Sequence, residues 1–100
     1  MTGAQYLGLV ARLPCAICGA WPVEVHHQRT GIGAGRRASH FQTMPLCWLH
    51  HQGGEGIHGM GRKAFERHHG VTELELVAST RKALGITPQE VEVWEQAHAD

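Results

Sequence analysis

Residues 13–27, LPCAICGAWPVEVHH, and residues 44–59, MPLCWLHHQGGEGIHG, hold all three cysteines and five of the nine histidines of a 100-residue chain. Cys15-x-x-Cys18 lies in a tight turn, where two thiolates three residues apart can reach one tetrahedral ion. Cys47-x-x-His50 repeats the spacing. The two pairs, separated by 28 intervening residues, predict a closed zinc site of Cys15, Cys18, Cys47 and His50 that uses every cysteine in the chain. Buried core thiols would not need the paired spacing. An odd number of cysteines without a secretory context argues against a disulfide framework and for a reducing, cytoplasmic setting.

A chain of this length is expected to form one domain over residues 1–100, with no room for a second core. Its hydrophobic fraction of 42% is near the globular norm, but the middle, roughly residues 28–63, is too rich in glycine to be helix or strand throughout. So loose a centre needs a cross-link, and bound zinc would supply one. No stretch approaches the length of apolar chain that spans a bilayer, and no secretion signal is visible at the N-terminus. The zero formal charge is unevenly placed. Residues 1–63 carry Arg12, Arg29, Arg36, Arg37, Arg62 and Lys63 against Glu24 and Glu55, a balance of +4, and the remainder carries −4. The expectation is a positive half that meets phosphate and an acidic half that does not.

Tyr6, Leu9, Val10 and Leu13 recur at helical spacing and predict a helix over about 3–13, stopped by Pro14. PVEVHH (22–27) alternates and reads as a strand, QRTGIGAGRRAS (28–39) as a loop, and HFQTMPL (40–46) as a second short strand. CWLHH (47–51) opens as a turn and short helix before a glycine-rich loop. MGRKAFERHHG reads as a helix closed by Gly70. Thr72 with Glu75 forms a capping-box signature, with Leu74, Leu76, Val77 and Leu84 as the apolar stripe beyond it. Thr87, Pro88 and Glu90 open a last helix whose inner face is Val91, Trp94 and Ala97. The fold class expected is small α+β.

A closed zinc site leaves histidines over. His26, His51 and His58, from three parts of the chain, could hold a second ion with an open position. His26 and His27 are neighbours in a strand and point to opposite faces, so one can be a ligand or a packing residue while the other acts as a base.

Taken together, the CxxC turn, the strand ending in His26-His27, the PLCWLHH of 45–51 and the glycine-rich segment with His58 resemble the ββα-metal (HNH) nuclease superfamily. The stretch from Val25 to Gly70 resembles more closely the small phage-type members of the RecA-dependent recombination-enhancement kind, and the match spans about 14–70. The resemblance implies a ββα-metal core with a zinc knuckle, an N-terminal helix and two to three C-terminal helices over 71–100. It implies a metal-dependent DNA endonuclease with His27 as general base. His26, His51 and His58 would hold a divalent cation such as Mg²⁺, Mn²⁺ or Zn²⁺. His40 stands where relatives carry an acidic residue or histidine, so it is a further catalytic candidate. Gln42 takes the place of an asparagine that often orients the base. The implied partners are DNA and a RecA-type recombinase filament.

Arg29, Arg36 and Arg37, in the loop after the base, could grip a DNA backbone without reading sequence, and Arg62 and Lys63 could do the same. Trp21 and Trp48 are expected to pack around the zinc turns, and His68, His69 and His98 to be surface residues. The alternative function is a non-catalytic, zinc-stabilised nucleic-acid- or protein-binding module. A metal buffer would have no need for ordered spacing.

Overall fold

The structure, a computed structural model, describes residues 1–97. It is a small α+β arrangement of six helices and one two-stranded antiparallel sheet among the described residues. α1 (Gly3–Val10) is opened by a capping box in which Thr2 Oγ1 accepts from the Gln5 amide and Gln5 Oε1 accepts from the Thr2 amide. It stops three residues short of expectation, and the chain reaches Leu13 as a turn closed by the Leu13 amide on the Val10 carbonyl.

β1 (Glu24–His27) and β2 (Thr43–Leu46) are both shorter than their patterns suggested. Residues 40–42 instead turn, with the Gln42 amide on the Ser39 carbonyl, and deliver the chain into β2. In register, Glu24 faces Leu46, Val25 faces Pro45, His26 faces Met44 and His27 faces Thr43. Pro45 sits harmlessly in the strand. Its carbonyl points away from β1 to accept from the Ala16 amide at 2.9 Å, so its missing N–H is also on that outer edge. The same bond ties the cysteine turn to the sheet.

The pleat sorts the strands into two faces. Glu24, His26, Met44 and Leu46 lie on one face. Met44 and Leu46 join Cys15, Cys47, Ile57, Phe65, Leu76 and Val77 in the larger core. Val25, His27, Thr43 and Pro45 lie on the other. Val25 packs there against the smaller core of Tyr6, Val10, Phe41, Ile86 and Val91, with Trp94 at its edge. β2 is buried along its whole length between these clusters.

After β2 come α2 (Trp48–His51), α3 (Ile57–Met60), α4 (Arg62–His69), α5 (Glu73–Ala83) and α6 (Pro88–Ala97). α3 lies where the glycine content predicted a loop. Its one buried residue, Ile57, anchors it to the larger core. The glycines permit close approach rather than flexibility. A Cβ on Gly56 would lie 2.6 Å from the backbone of His51, and one on Gly59 would run into the Gly53 carbonyl oxygen. α4 ends at Gly70 in the left-handed region, φ 68°, as expected. α5 carries the expected Thr72–Glu75 capping box, and Thr87 and Glu90 bond each other's backbone amides in the same way at the start of α6.

Two expected packing residues are corrected. The buried stripe of α5 is Glu73, Leu76, Val77 and Thr80, spaced i, i+3, i+4, i+7, and Leu74 falls off it and is exposed. Ala97 of α6 is likewise exposed, whereas Val91 is buried and Trp94 packs against the smaller core. No helix of the described residues is long and apolar enough to cross a membrane.

Phe65 is fully buried on α4, where it joins the helix to the sheet face that carries His26. Phe65→Ala is expected to cost about 3–5 kcal/mol of stability. Denaturant unfolding measures this, and a loss below about 1 kcal/mol would contradict the packing described.

Candidate metal centre

Two ligand sets lie side by side, and α2 feeds both. The first is Cys15, Cys18, Cys47 and His50. The CxxC turn is closed by the Cys15 amide on the Ala20 carbonyl and the Gly19 amide on the Cys15 carbonyl, both 2.8 Å, with Gly19 at φ 77°. The opposing pair comes from the residue that caps α2 and from the helix itself. Cys18 Sγ is 3.7 Å from Cys47 Sγ, Cys47 Sγ is 3.3 Å from His50 Nδ1, and Cys15 Sγ is 3.8 Å from His50 Nδ1. A tetrahedron with zinc–sulfur bonds near 2.3 Å has sulfur–sulfur edges of about 3.8 Å. The donors are therefore spaced to hold an ion such as zinc, and three thiolates with one imidazole is a zinc-type set. Burial opposes ionisation of Cys15, but the amides of Cys47, Cys18 and Ile17 outweigh it, so its pKa is lowered toward the ligating thiolate. Burial, then the neighbouring His69, holds His50 in its neutral form.

The second set is His26, His51 and His58, whose ligand atoms lie within 4.8 Å of one another. His26 Nδ1 is 3.2 Å from His51 Nε2. Each ring is held from behind by a carboxylate. His26 Nε2 donates to Glu73 Oε2 at 2.7 Å, and His51 Nδ1 donates to Glu24 Oε1 at 2.6 Å. An imidazole that gives its one N–H to a carboxylate turns a bare lone pair to the other side. With both rings in that tautomer, two lone pairs face each other, and a cation between them would relieve their repulsion. A tetrahedral ion with bonds near 2.1 Å would set them about 3.4 Å apart. His58, carried by α3, brings a third ring, its centroid 5.0 Å from that of His26 and 4.7 Å from that of His51. Burial first, and then the neighbouring histidines, lowers the pKa of His58. Burial also lowers that of His51 despite the opposing pull of Glu24. Both are neutral at pH 7, as ligation requires.

Glu73 was not foreseen. It is fully buried at the first turn of α5 and receives four further bonds: the Arg29 amide on both oxygens (3.0 and 3.1 Å), and the Thr30 amide (2.8 Å) and Thr30 Oγ1 (2.6 Å) on Oε1. Burial alone would raise its pKa; the bonds from His26, Thr30 and Arg29 outweigh it and hold the carboxyl at about 2. The signal available in the sequence was its position. Glu73 is the only charged residue on the buried stripe of α5. Glu24 was equally legible in retrospect, two residues before His26 and so on the same face of β1.

The remaining candidates fall outside these sets. His27 is half-buried on the opposite face of β1 and pairs with His40, Nε2 to Nδ1, at 2.9 Å. His40 is thus beside the expected base and is not among the three clustered imidazoles. Arg29, Arg36 and Arg37 are exposed on the loop, with Arg29 Nη1 donating to the Arg36 carbonyl at 2.8 Å. Arg62 pairs with Glu66 at 3.2 Å, and Lys63 is exposed. Glu73, from the acidic half of the chain, is central to the site. Trp21 and Trp48 do not pack around the zinc turns: they are 67% and 64% exposed. His68 is exposed, 3.6 Å from Glu55, and half-buried His69 packs its ring at a tilt against Phe65 and abuts His50. His98 lies outside the described residues.

The family model described as protein of unknown function DUF968 matches residues 1–87. The chain belongs to the DUF968 family. No curated protein matches it. The DUF968 match contains both ligand sets, Glu24, Glu73 and the arginine loop, and ends one residue before α6.

Two expectations follow from this geometry. Native mass spectrometry of the zinc-supplied protein will show two ions, one after His51→Ala or His58→Ala in a folded chain, and a loss of both with Cys47→Ser; a single ion in the wild type contradicts the second set. With that set empty, NMR titration of the His51 and His58 rings will give midpoints below their ordinary 6.5, because burial disfavours the charged form. A midpoint at or above that value contradicts the environment described.

Proposed function

We propose that this protein is a metal-dependent DNA endonuclease of the HNH kind, with His26, His51 and His58 holding a divalent cation and His27 as general base. The observation that carries the reading is the pair of carboxylate-backed imidazoles facing each other at 3.2 Å with a third beside them. Three imidazole donors satisfy only part of an ion's coordination and leave positions for substrate oxygens, unlike the closed cysteine set. A divalent cation bound there would act as a Lewis acid, stabilising charge on the scissile phosphate and the departing oxygen. An all-imidazole set favours ions that prefer nitrogen, such as Zn²⁺, Ni²⁺ or Co²⁺, over Mg²⁺, which prefers oxygen.

The chain's own residues supply the rest of the proposed chemistry. His27 takes a proton from the attacking water, and His40, in contact through Nδ1, orients the ring. The neighbouring positions of His26 and His27 on one strand keep the base and a metal ligand in fixed relation. Exposed Arg36, Arg37 and Lys63 offer charge to the DNA backbone, and the glycine-rich loop lets backbone amides approach it. The β1–β2–α2 order, with ligands on β1 and α2, supports a ββα-metal core. A zinc-stabilised binding module remains the competing reading, but it has no use for the carboxylate-backed pair.

Nicking of supercoiled plasmid tests this, with Zn²⁺, Ni²⁺, Co²⁺, Mn²⁺ and Mg²⁺ added singly to protein already carrying its cysteine-site zinc. Activity should require the added ion and fall by about 10²-fold or more in His27→Ala at unchanged zinc content. A folded, zinc-loaded wild type that cuts neither naked DNA nor DNA coated with a recombinase, with any of these ions, would sink the proposal.

A further inference from the structure

Besides the Thr30 carbonyl, which accepts from Gln28 Nε2 at 2.8 Å, the hydrogen bonds that lead from residues 29–37 to the rest of the described protein end on the Glu73 carboxylate. The other bonds of this segment are internal: the Ile32 amide to the Arg29 carbonyl, the Arg36 amide to the Gly33 carbonyl, and Arg29 Nη1 to the Arg36 carbonyl. The loop holds Gly31, Gly33 and Gly35, so little in its own backbone restrains it. Glu73 has one further side-chain partner, the ring of His26. A single buried carboxylate is therefore shared between a candidate metal ligand and the loop that displays Arg29, Arg36 and Arg37.

We infer that Glu73 is a positioning residue that couples occupancy of the His26–His51–His58 site to the order of the arginine loop. Ligation of an ion at His26 Nδ1 draws electron density from the ring and strengthens the Nε2–H donor that Glu73 accepts. The bond fixes the carboxylate, and the fixed carboxylate holds the Arg29 and Thr30 amides. Coupling of this kind is reciprocal: whatever loosens the loop at Thr30 must weaken the ion at His26. The reverse direction separates coupling from simple structural support, since Thr30 touches no ligand ring. The inference rests on the proposed metal site but not on nuclease activity, which its experiment does not read.

The test uses full-length protein carrying zinc in the cysteine set, titrated with Co²⁺ at the second set and followed by visible absorption. Hydrogen exchange of residues 28–37 is measured with and without Co²⁺. In the wild type, Co²⁺ should slow exchange of the Arg29 and Thr30 amides by about tenfold, an energy of about 1.4 kcal/mol. Glu73→Gln cannot accept from His26 and the loop amides together, because its NH₂ must face one of those donors. It should weaken Co²⁺ binding by about 10- to 100-fold and abolish the exchange response. Thr30→Val, which removes only the 2.6 Å hydroxyl bond, should keep the fold and weaken Co²⁺ several-fold, and it decides the matter alone if Glu73→Gln does not fold. Loop exchange that ignores Co²⁺ in the wild type, or wild-type Co²⁺ affinity in Thr30→Val, overturns the coupling and leaves the nuclease reading to the plasmid assay. Failure of Co²⁺ to bind the wild type at the second set overturns both.

Discussion

Consecutive residues of a four-residue helix, His50 and His51, enter two different ligand sets, and the rest of the molecule is arranged around that constraint. Residues on a helix step by about 100°, so neighbours cannot serve one centre but can serve two on adjoining sides. So short a helix has no stability of its own. α2 is held by the cysteine turn on one side, by β1 on another, and by Gly56, whose missing side chain lets the following turn close on the backbone of His51. A metal in the cysteine set would fix α2, and through α2 the ring of His51. The two candidate centres are neighbours because one small element supplies residues to both.

The second constraint is electrostatic. Glu24 and Glu73 do not reach the facing nitrogens; they stand behind His26 and His51 and select which nitrogen carries the proton. Their negative charge stays outside the ligand set, so an ion held there would keep more of its own charge for an anionic substrate than one ligated by carboxylates. Burying Glu73 is costly, and five hydrogen bonds offset that cost. The arginine loop is fixed as a consequence. The charge asymmetry of the sequence therefore hides an interlock, in which the acidic half of the chain supplies the residue that anchors the basic loop.

The candidate ligands were legible from sequence because ligation imposes short, fixed spacings on residue types that are otherwise rare. Cys15, Cys18, Cys47 and His50 announce themselves, and His26, His51 and His58 stand out as what that set leaves unused. The helix boundaries at Gly70 and Thr72 were legible for a similar reason, since capping is local chemistry. What escaped depends on contacts remote in sequence. Glu73 lies 47 residues from His26, and beside the obvious capping residue Glu75 it reads as one more acid at a helix start. Only its place on the buried stripe marks it out. α3 was hidden because its glycines, poor helix formers, are needed where backbones nearly touch. Trp21 and Trp48 misled because large aromatic residues near a small core usually enter it, and these do not.

The most direct test of the account is anomalous diffraction at the zinc edge from crystals grown with excess zinc. Two peaks are predicted. One is bound by Cys15, Cys18, Cys47 and His50 Nδ1. The other is bound by His26 Nδ1, His51 Nε2 and His58, with its remaining positions open to solvent and Glu24 and Glu73 behind the rings. A single peak in the cysteine set, with His26 and His51 sharing only a proton, would contradict the second centre and the chemistry proposed for it.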